Sequence, residues 1–280
     1  MNSNGNLLLL GIIFILILST IGLVIGDILN LGLYGMVIGF ELSLGIVMVI
    51  YFSSDRALLK IYDAKPMPKT HNIHELIGDL ASRFDVPTPK MFLANTSAPI
   101  LFAIGRNARH SSIVISNSLL NLLDEDEVGA VLAHEMYYME AGEILVNTTI
   151  AYVAGKLTSF TTSNSKIFGP ILATLVAPPA AFLIKLVIPE SREHFADLKS
   201  VDIFRKADKL MSALEKISRK VESGNYVVNP SHAHLFIVNP LQDKGVEFMG
   251  RKMGSYNKLF NTHPSIHERL DILKSFRMNK

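Results

Sequence analysis

Between Met1 and Gly26 the chain carries no charged side chain, and its first Lys or Arg is Arg56. Leu7 to Ile25 is an almost unbroken apolar run, about long enough to cross a hydrocarbon core of roughly 30 Å as one helix. A cleaved leader would have a basic start, a shorter apolar stretch and a small-residue cleavage site. None of these is present, so the run is expected to remain as a span.

A second apolar run, Leu31 to Phe52, follows the short turn Asp27 to Asn30. Two runs joined so closely form an antiparallel hairpin. Gly22 and Gly26 in the first, and Gly35 and Gly39 in the second, have the G-x-x-x-G spacing that lets backbones approach closely in lipid. Arg56, Lys60, Lys65 and Lys69 come directly after the second run, whereas the N-terminus and the turn have no Lys or Arg. The excess of positive charge places residue 53 onward in the cytoplasm. Glu41 falls in mid-membrane, where a carboxylate is costly, and is expected to face a helix interface or a wet cavity.

With 49% hydrophobic and 19% charged residues, the chain is not an ordinary soluble domain. A net charge of +2, dispersed along the sequence, lacks the basic face that nucleic acid requires, so that class of partner is excluded. The sequence has no Cys. Any metal must therefore be held by His, Asp, Glu or Tyr.

Two later stretches, Ile144 to Phe160 and Phe168 to Ile188, are apolar but interrupted by Lys156, Pro178, Pro179 and Lys185. They read either as a second membrane hairpin or as buried helices of a polar domain. A hairpin returns the chain to its starting side, which leaves 53–143 and 189–280 in one compartment. The expected division is 1–55 as the N-terminal hairpin, 56–143 as the first polar part, 144–188 as the second apolar hairpin, and 189–280 as the second polar part.

In the first polar part, Asn72 and Glu75 have capping-box spacing ahead of an amphipathic helix with Ile77, Leu80, Ala81 and Phe84 on one face. Met91 to Leu93 and Ile113 to Ile115 are short β-rich runs separated by a turn at Gly105. The acidic cluster Asp124 to Glu127 opens a further helix, with Val128, Val131 and Leu132 as its buried stripe. That helix carries His134-Glu135-Met136-Tyr137-Tyr138, an H-E-x-x-H pattern with Tyr in its last position. In the intact motif two His at i and i+4 share a helix face and hold one zinc, and the Glu addresses its water.

A second set of residues stands at Ser191-Arg192-Glu193-His194-Phe195-Ala196-Asp197, and a third at Thr262-His263-Pro264-Ser265-Ile266-His267-Glu268-Arg269. With the N-terminal hairpin, Phe102-Ala103 and Gly105-Arg106, and His234 to Pro240, these make the chain resemble the HtpX family of membrane zinc metalloproteases, relatives of the CAAX prenyl proteases. The resemblance runs over nearly the whole chain. It implies an α-helical membrane protein with an α+β, zincin-like cytoplasmic domain in the cell (inner) membrane. It also implies Zn2+ as cofactor, with His134 as a ligand, Tyr138 at the second ligand position, Glu193 as third ligand and Glu135 as general base. Asp197 would orient a ligand imidazole, and His263 and Arg269 would position substrate or stabilise the oxyanion. The implied partners are the bilayer and misfolded or exposed polypeptide segments, laid along an edge strand near Leu101 to Ile104 and cleaved in membrane protein quality control.

The chain departs from the family pattern at Tyr138, at Ile100-Leu101 where Asn-Ala is usual, and at Ala141 and Glu143 where Asn and Asp are common. Ionising a phenol at neutral pH costs about 4 kcal/mol. Bound zinc could supply that, since it acidifies water by more. The greater length of a phenol tips the balance toward Tyr138 as a packing residue in a site with weak or no zinc. Two readings follow: an HtpX-type endopeptidase impaired by Tyr138, and a silent relative that binds polypeptide as an adaptor or holdase. A carrier built on Glu41 ranks below both, because it leaves His134, Glu135, Glu193 and His263 unexplained.

Overall fold

A computed structural model describes residues 3–162, 191–224, 226, 229–239, 247–248, 251–252 and 263–278. Helix α1 (Ser3–Ile28) and helix α2 (Leu33–Ile61) form the N-terminal hairpin, and both are long and apolar enough to cross a membrane. The turn, at residues 29–32, falls two residues later than the polar residues suggest. At the other end α2 runs past Phe52 to Ile61, because Arg56-Ala-Leu-Leu-Lys60 is good helix-forming sequence that ignores the edge of the apolar run.

The two helices meet through their glycines. A Cβ added at Gly22 would collide with the carbonyl oxygen of Gly35, and one at Gly39 with that of Leu18. Small residues thus set the spacing of the hairpin. Gly35→Ile is expected to force the helices apart at an overpacking cost of about 1–3 kcal/mol. The check is the thermal midpoint in detergent, which should fall while Gly11→Ile, at a position with open space, leaves it unchanged. Glu41 is exposed on this hairpin rather than turned into its interface. The interface stripe is Gly35, Gly39 and Ser43, and at 100° per residue Glu41 lies on the opposite face.

The polar part is built on a four-stranded sheet of β1 (Ala64–Pro66), β2 (Lys90–Ala94), β3 (Leu101–Gly105) and β4 (Ser111–Ser116), in the order β1-β2-β4-β3. Strands β2 and β4 run parallel, and the outer pairs are antiparallel, with Phe102 opposite Val114. The expected strands are both present, and the Leu101 region supplies the edge. Alternation divides β3 between two cores: Leu101 and Ala103 pack on one face, Phe102 and Ile104 on the other.

Helix α3 (Ile73–Arg83) and helix α5 (Glu125–Glu140), which follows the short α4 (Asn117–Leu120), cover the first face. Ile77, Leu80, Ala81 and Phe84 are buried as expected. The cap of α3 is not the expected box, however. Asn72 makes no side-chain cap, and the Ile73 N–H donates instead to His71 Nδ1 at 3.3 Å. The other face takes Leu58 at the end of α2, helix α6 (Ile144–Thr162) through Ala151, and the 3-10 turn Pro230–Leu235 with Phe236. Tyr62, just beyond α2, ties these together through its hydroxyl at 2.7 Å from His232 Nδ1.

Of the expected second hairpin, α6 is helical, and 163–188 lies outside the described residues. The apolar part of α6, Ile144–Leu157, is shorter than a span, and Ile144, Val146, Thr148 and Ala151 are buried.

Helices α7 (Ser191–Phe204) and α8 (Ala207–Ser223) pack on α5, and α9 (Ile266–Met278) packs on α7 and α8. The start of α5 is secured by a capping box between Asp124 and Glu127. Glu127 also accepts from Ser212 Oγ and Lys216 Nζ of α8, each at 2.7 Å. Burial raises the Glu127 pKa, but Lys216, Ser212 and the Asp124 backbone outweigh it and hold the carboxyl below its usual range. A depressed carboxylate pKa contributes stability above the unfolded value and loses it as pH falls through the folded one. The wild-type midpoint should therefore drop more steeply below about pH 5 than that of Glu127→Gln. At neutral pH Glu127→Gln should itself cost about 1–3 kcal/mol.

Candidate active site

His134 and Tyr138 are one turn apart on α5, and both side chains are turned toward α7, where Glu193 and Asp197 are likewise one turn apart. This i, i+4 spacing on two facing helices is what brings four polar groups from distant segments into one buried cluster. His263, just before α9, and Arg269, on its first turns, close the cluster from a third side. All seven expected site residues, His134, Glu135, Tyr138, Glu193, Asp197, His263 and Arg269, are buried.

Asp197 organises the inner half. Its Oδ1 lies 2.9 Å from His134 Nδ1. It also receives two hydrogen bonds from Arg269, Nε to Oδ2 and Nη2 to Oδ1, each at 2.7 Å. Burial would raise the Asp197 pKa, but Arg269 outweighs it and keeps the carboxyl low. The remaining Arg269 nitrogen, Nη1, donates to the Ile237 carbonyl at 2.5 Å. Three of the five Arg269 N–H donors thus hold Asp197 and the Ile237 carbonyl.

Glu193 is the centre of the outer half. Its Oε1 accepts a 2.6 Å hydrogen bond from the Tyr138 hydroxyl. Its Oε2 is buried with no hydrogen-bond partner among the described residues. Around that oxygen stand His134 Nε2 at 3.5 Å, His263 Nδ1 at 3.4 Å and Arg269 Nη1 at 3.5 Å. Burial opposes the Glu193 charge, yet His263, His134 and Arg269 pull its pKa well below the ordinary value. The Tyr138 phenol moves the other way: burial and the Glu193 charge push its pKa well above 10.

Glu135 points elsewhere. Its Oε2 accepts the Ala103 N–H at 2.9 Å, so the carboxylate sits against the edge strand. Burial pushes its pKa up to about 8. The next outward N–H of that strand, on Gly105, donates to Thr148 Oγ1 of α6 at 2.8 Å. The outward N–H groups of β3 at Ala103 and Gly105 are thus already satisfied by the chain itself.

Several neighbours were not singled out by the motifs. Arg192 stacks its guanidinium 5.5 Å from the Tyr138 ring centroid. It also pairs with Glu143 and donates to Asn147 Oδ1 at 3.1 Å. The signal for Arg192 was its place beside Glu193; Thr148 carried none. Glu143, one of the departures from the family pattern, has its role here as the Arg192 partner.

Whether a divalent metal suits these residues turns on the donors. A buried imidazole nitrogen and an unpartnered carboxylate oxygen face each other at 3.5 Å, too far for a hydrogen bond. His134 and Glu193 fit a shared cation. The third position does not, since Tyr138 spends its proton on Glu193 Oε1. No group of three His, Asp or Glu side chains converges on a metal position among the described residues.

The peptidase family M48 model matches residues 68–277. The Protease HtpX of Legionella pneumophila subsp. pneumophila is 35% identical over 243 residues, spanning 80% of this chain and 83% of that protein. A Protease HtpX homolog of Desulforapulum autotrophicum is 32% identical over 243 residues, spanning 80% of this chain and 75% of that one. Among solved structures, S. mikatae Ste24p is similar at a TM-score of 0.49 and 18% identity, over 92% of this chain and 61% of that one.

Proposed function

The chain belongs to peptidase family M48, and from that premise we propose that it is a membrane-anchored endopeptidase of HtpX type with a weakened zinc centre. It acts on misfolded or exposed polypeptide at the cytoplasmic face in membrane protein quality control. The observation that carries this reading is the Glu193 carboxylate, shared between Tyr138 on one oxygen and the approach of His134 on the other.

His134 and Glu193 would hold the zinc, which when bound supplies polarisation of the scissile carbonyl and a more acidic water. The other tasks fall to the chain. Asp197 fixes the His134 ring through Nδ1 and so directs Nε2 toward Glu193. Glu135, its Oε2 held by the Ala103 N–H, would take a proton from the attacking water and return it to the leaving amine. His263 faces the same centre and would donate to the tetrahedral oxygen. Arg269 is a positioning residue acting through Asp197.

The second reading, a silent relative that binds polypeptide as adaptor or holdase, is favoured by the Tyr138 hydrogen bond, which stabilises Glu193 without any metal. Zinc content per purified chain in detergent, measured with casein cleavage, separates the two. The endopeptidase reading expects substoichiometric zinc and slow cleavage that Glu135→Gln abolishes without lowering the thermal midpoint. Zinc-free protein with no cleavage selects the silent reading.

The orientation rests on Arg56, Lys60, Lys65 and Lys69. Asn4 Nδ2, which donates to the Gly142 carbonyl at 3.0 Å, ties the start of α1 to the end of α5. Single cysteines at Lys65 and Lys280 are expected to be shielded from an impermeant thiol reagent in intact cells, and labelling of either overturns this orientation.

A further inference from the structure

Two contacts, one at each end of the site, limit its distance from the bilayer surface. At the first, α1 has 26 residues, about 39 Å at 1.5 Å per residue. That exceeds the hydrocarbon thickness of roughly 30 Å, so its opening turn reaches the headgroups. Asn4 of that turn bonds the Gly142 carbonyl, immediately beyond α5. Tyr138 and His134 lie about 6 and 12 Å back along α5 from this point.

At the second, the Arg106 guanidinium, directly after β3, sits 5.9 Å from the Tyr51 ring centroid and 5.3 Å from that of Phe52. These aromatics close the apolar run of α2, ahead of Asp55 and Arg56, the place of an interfacial aromatic belt. From Gly105 to Ala103, whose N–H meets Glu135, is two strand residues, about 7 Å. Both routes put the reacting groups at most about one to two helical turns above the interface.

We infer that the site takes polypeptide emerging from a membrane-spanning segment, reading the first few residues after the span in preference to chain that is distant from the bilayer. An extended chain leaving the interface covers about 7–12 Å in two to four residues. The contact window is therefore expected at about residues 2–6 beyond the span. A soluble tail of the same sequence lacks the anchor that concentrates it at this height, and a short tether raises effective concentration into the millimolar range. The inference rests on the proposed polypeptide-binding role of the same site and adds the class of substrate to it.

The test uses the full-length chain reconstituted in vesicles of phosphatidylcholine and phosphatidylglycerol. The probe is a Leu/Ala membrane span followed by an unstructured polar tail, with a photo-crosslinking residue placed singly at about position 2, 4, 6, 12 or 18 beyond the span. Crosslinks are mapped by mass spectrometry. The expected result is adducts in 101–106 or 134–142 from the three near positions, at least about tenfold above both the two far ones and the free tail peptide at equal concentration. Equal labelling from near and far positions, or from the free tail, overturns the inference while leaving polypeptide binding intact. No adduct at these segments from any position overturns both. Because crosslinking reports binding alone, the outcome does not depend on zinc or on turnover.

Discussion

Tyr138→His is expected to raise zinc affinity by at least about 10- to 100-fold, since loss of even a supporting partner of a metal ligand typically costs that much. The substituted imidazole would stand on the α5 face that already presents His134 to Glu193, completing the three-donor set of a catalytic zinc site. Two measurements follow it. Zinc per chain should rise toward one. The thermal midpoint should become zinc-dependent, because a ligand at 100 times its Kd stabilises by about 2.7 kcal/mol. Casein cleavage should increase alongside.

Tyr138→Phe is the informative control. It removes the 2.6 Å hydrogen bond to Glu193 and leaves that buried carboxylate short of a donor, which should cost about 1–3 kcal/mol without any gain in zinc. If Tyr138→Phe instead loses zinc relative to wild type, the phenol is a ligand. If Tyr138→His gains neither zinc nor zinc-dependent stability, position 138 does not converge with His134 and Glu193. The endopeptidase reading then gives way to the silent one.

The largest effect on stability is expected from Arg269→Met. Arg269 is fully buried, as is Asp197, and the guanidinium supplies two hydrogen bonds to that carboxylate and one to the Ile237 carbonyl. Removing one member of a buried pair strands the other charge and typically costs about 3–5 kcal/mol. Chemical denaturation in detergent should show a loss of that size. Arg269→Lys keeps the charge but cannot reproduce the fork onto Asp197, so it should recover only part of it. The double variant Arg269→Met with Asp197→Leu, which removes both charges, should be more stable than Arg269→Met alone. A loss under about 1 kcal/mol for Arg269→Met would mean that the cluster is held mainly by apolar packing.

Much of the architecture was legible in local pattern. Two long apolar runs gave away the hairpin, since Glu41 is the one charged residue within either of them, and β-rich runs marked β2 and β4. The acidic cluster at Asp124 to Glu127 read correctly as the start of α5, because acidic side chains favour a helix N-terminus, and the structure adds a capping box between residues three apart. The same spacing at Asn72 and Glu75 misled, because His71, which the pattern ignores, supplies the acceptor for Ile73. Of the candidate site residues, His134, Glu135 and Tyr138 came from the spacing of one motif, whereas Glu193, Asp197, His263 and Arg269 came from the family resemblance. His134 with Tyr138, and Glu193 with Asp197, are each one helical turn apart, so helix geometry puts each pair on one face.

What the tertiary structure decided is what those faces do when they meet. Sequence spacing cannot set the separation of α5 and α7, which depends on how the surrounding side chains pack, and differences of half an ångström separate a ligand from a hydrogen-bond donor. Only the packed structure shows that Tyr138 donates to Glu193, that Arg269 is engaged by Asp197, and that Glu135 and Thr148 occupy the outward N–H groups of β3. The proposed nearness of the site to the bilayer rests on contacts of the same kind. Asn4 meets Gly142 and Arg106 meets Phe52 across long stretches of chain, and contacts between residues so far apart leave no periodicity for a sequence to display.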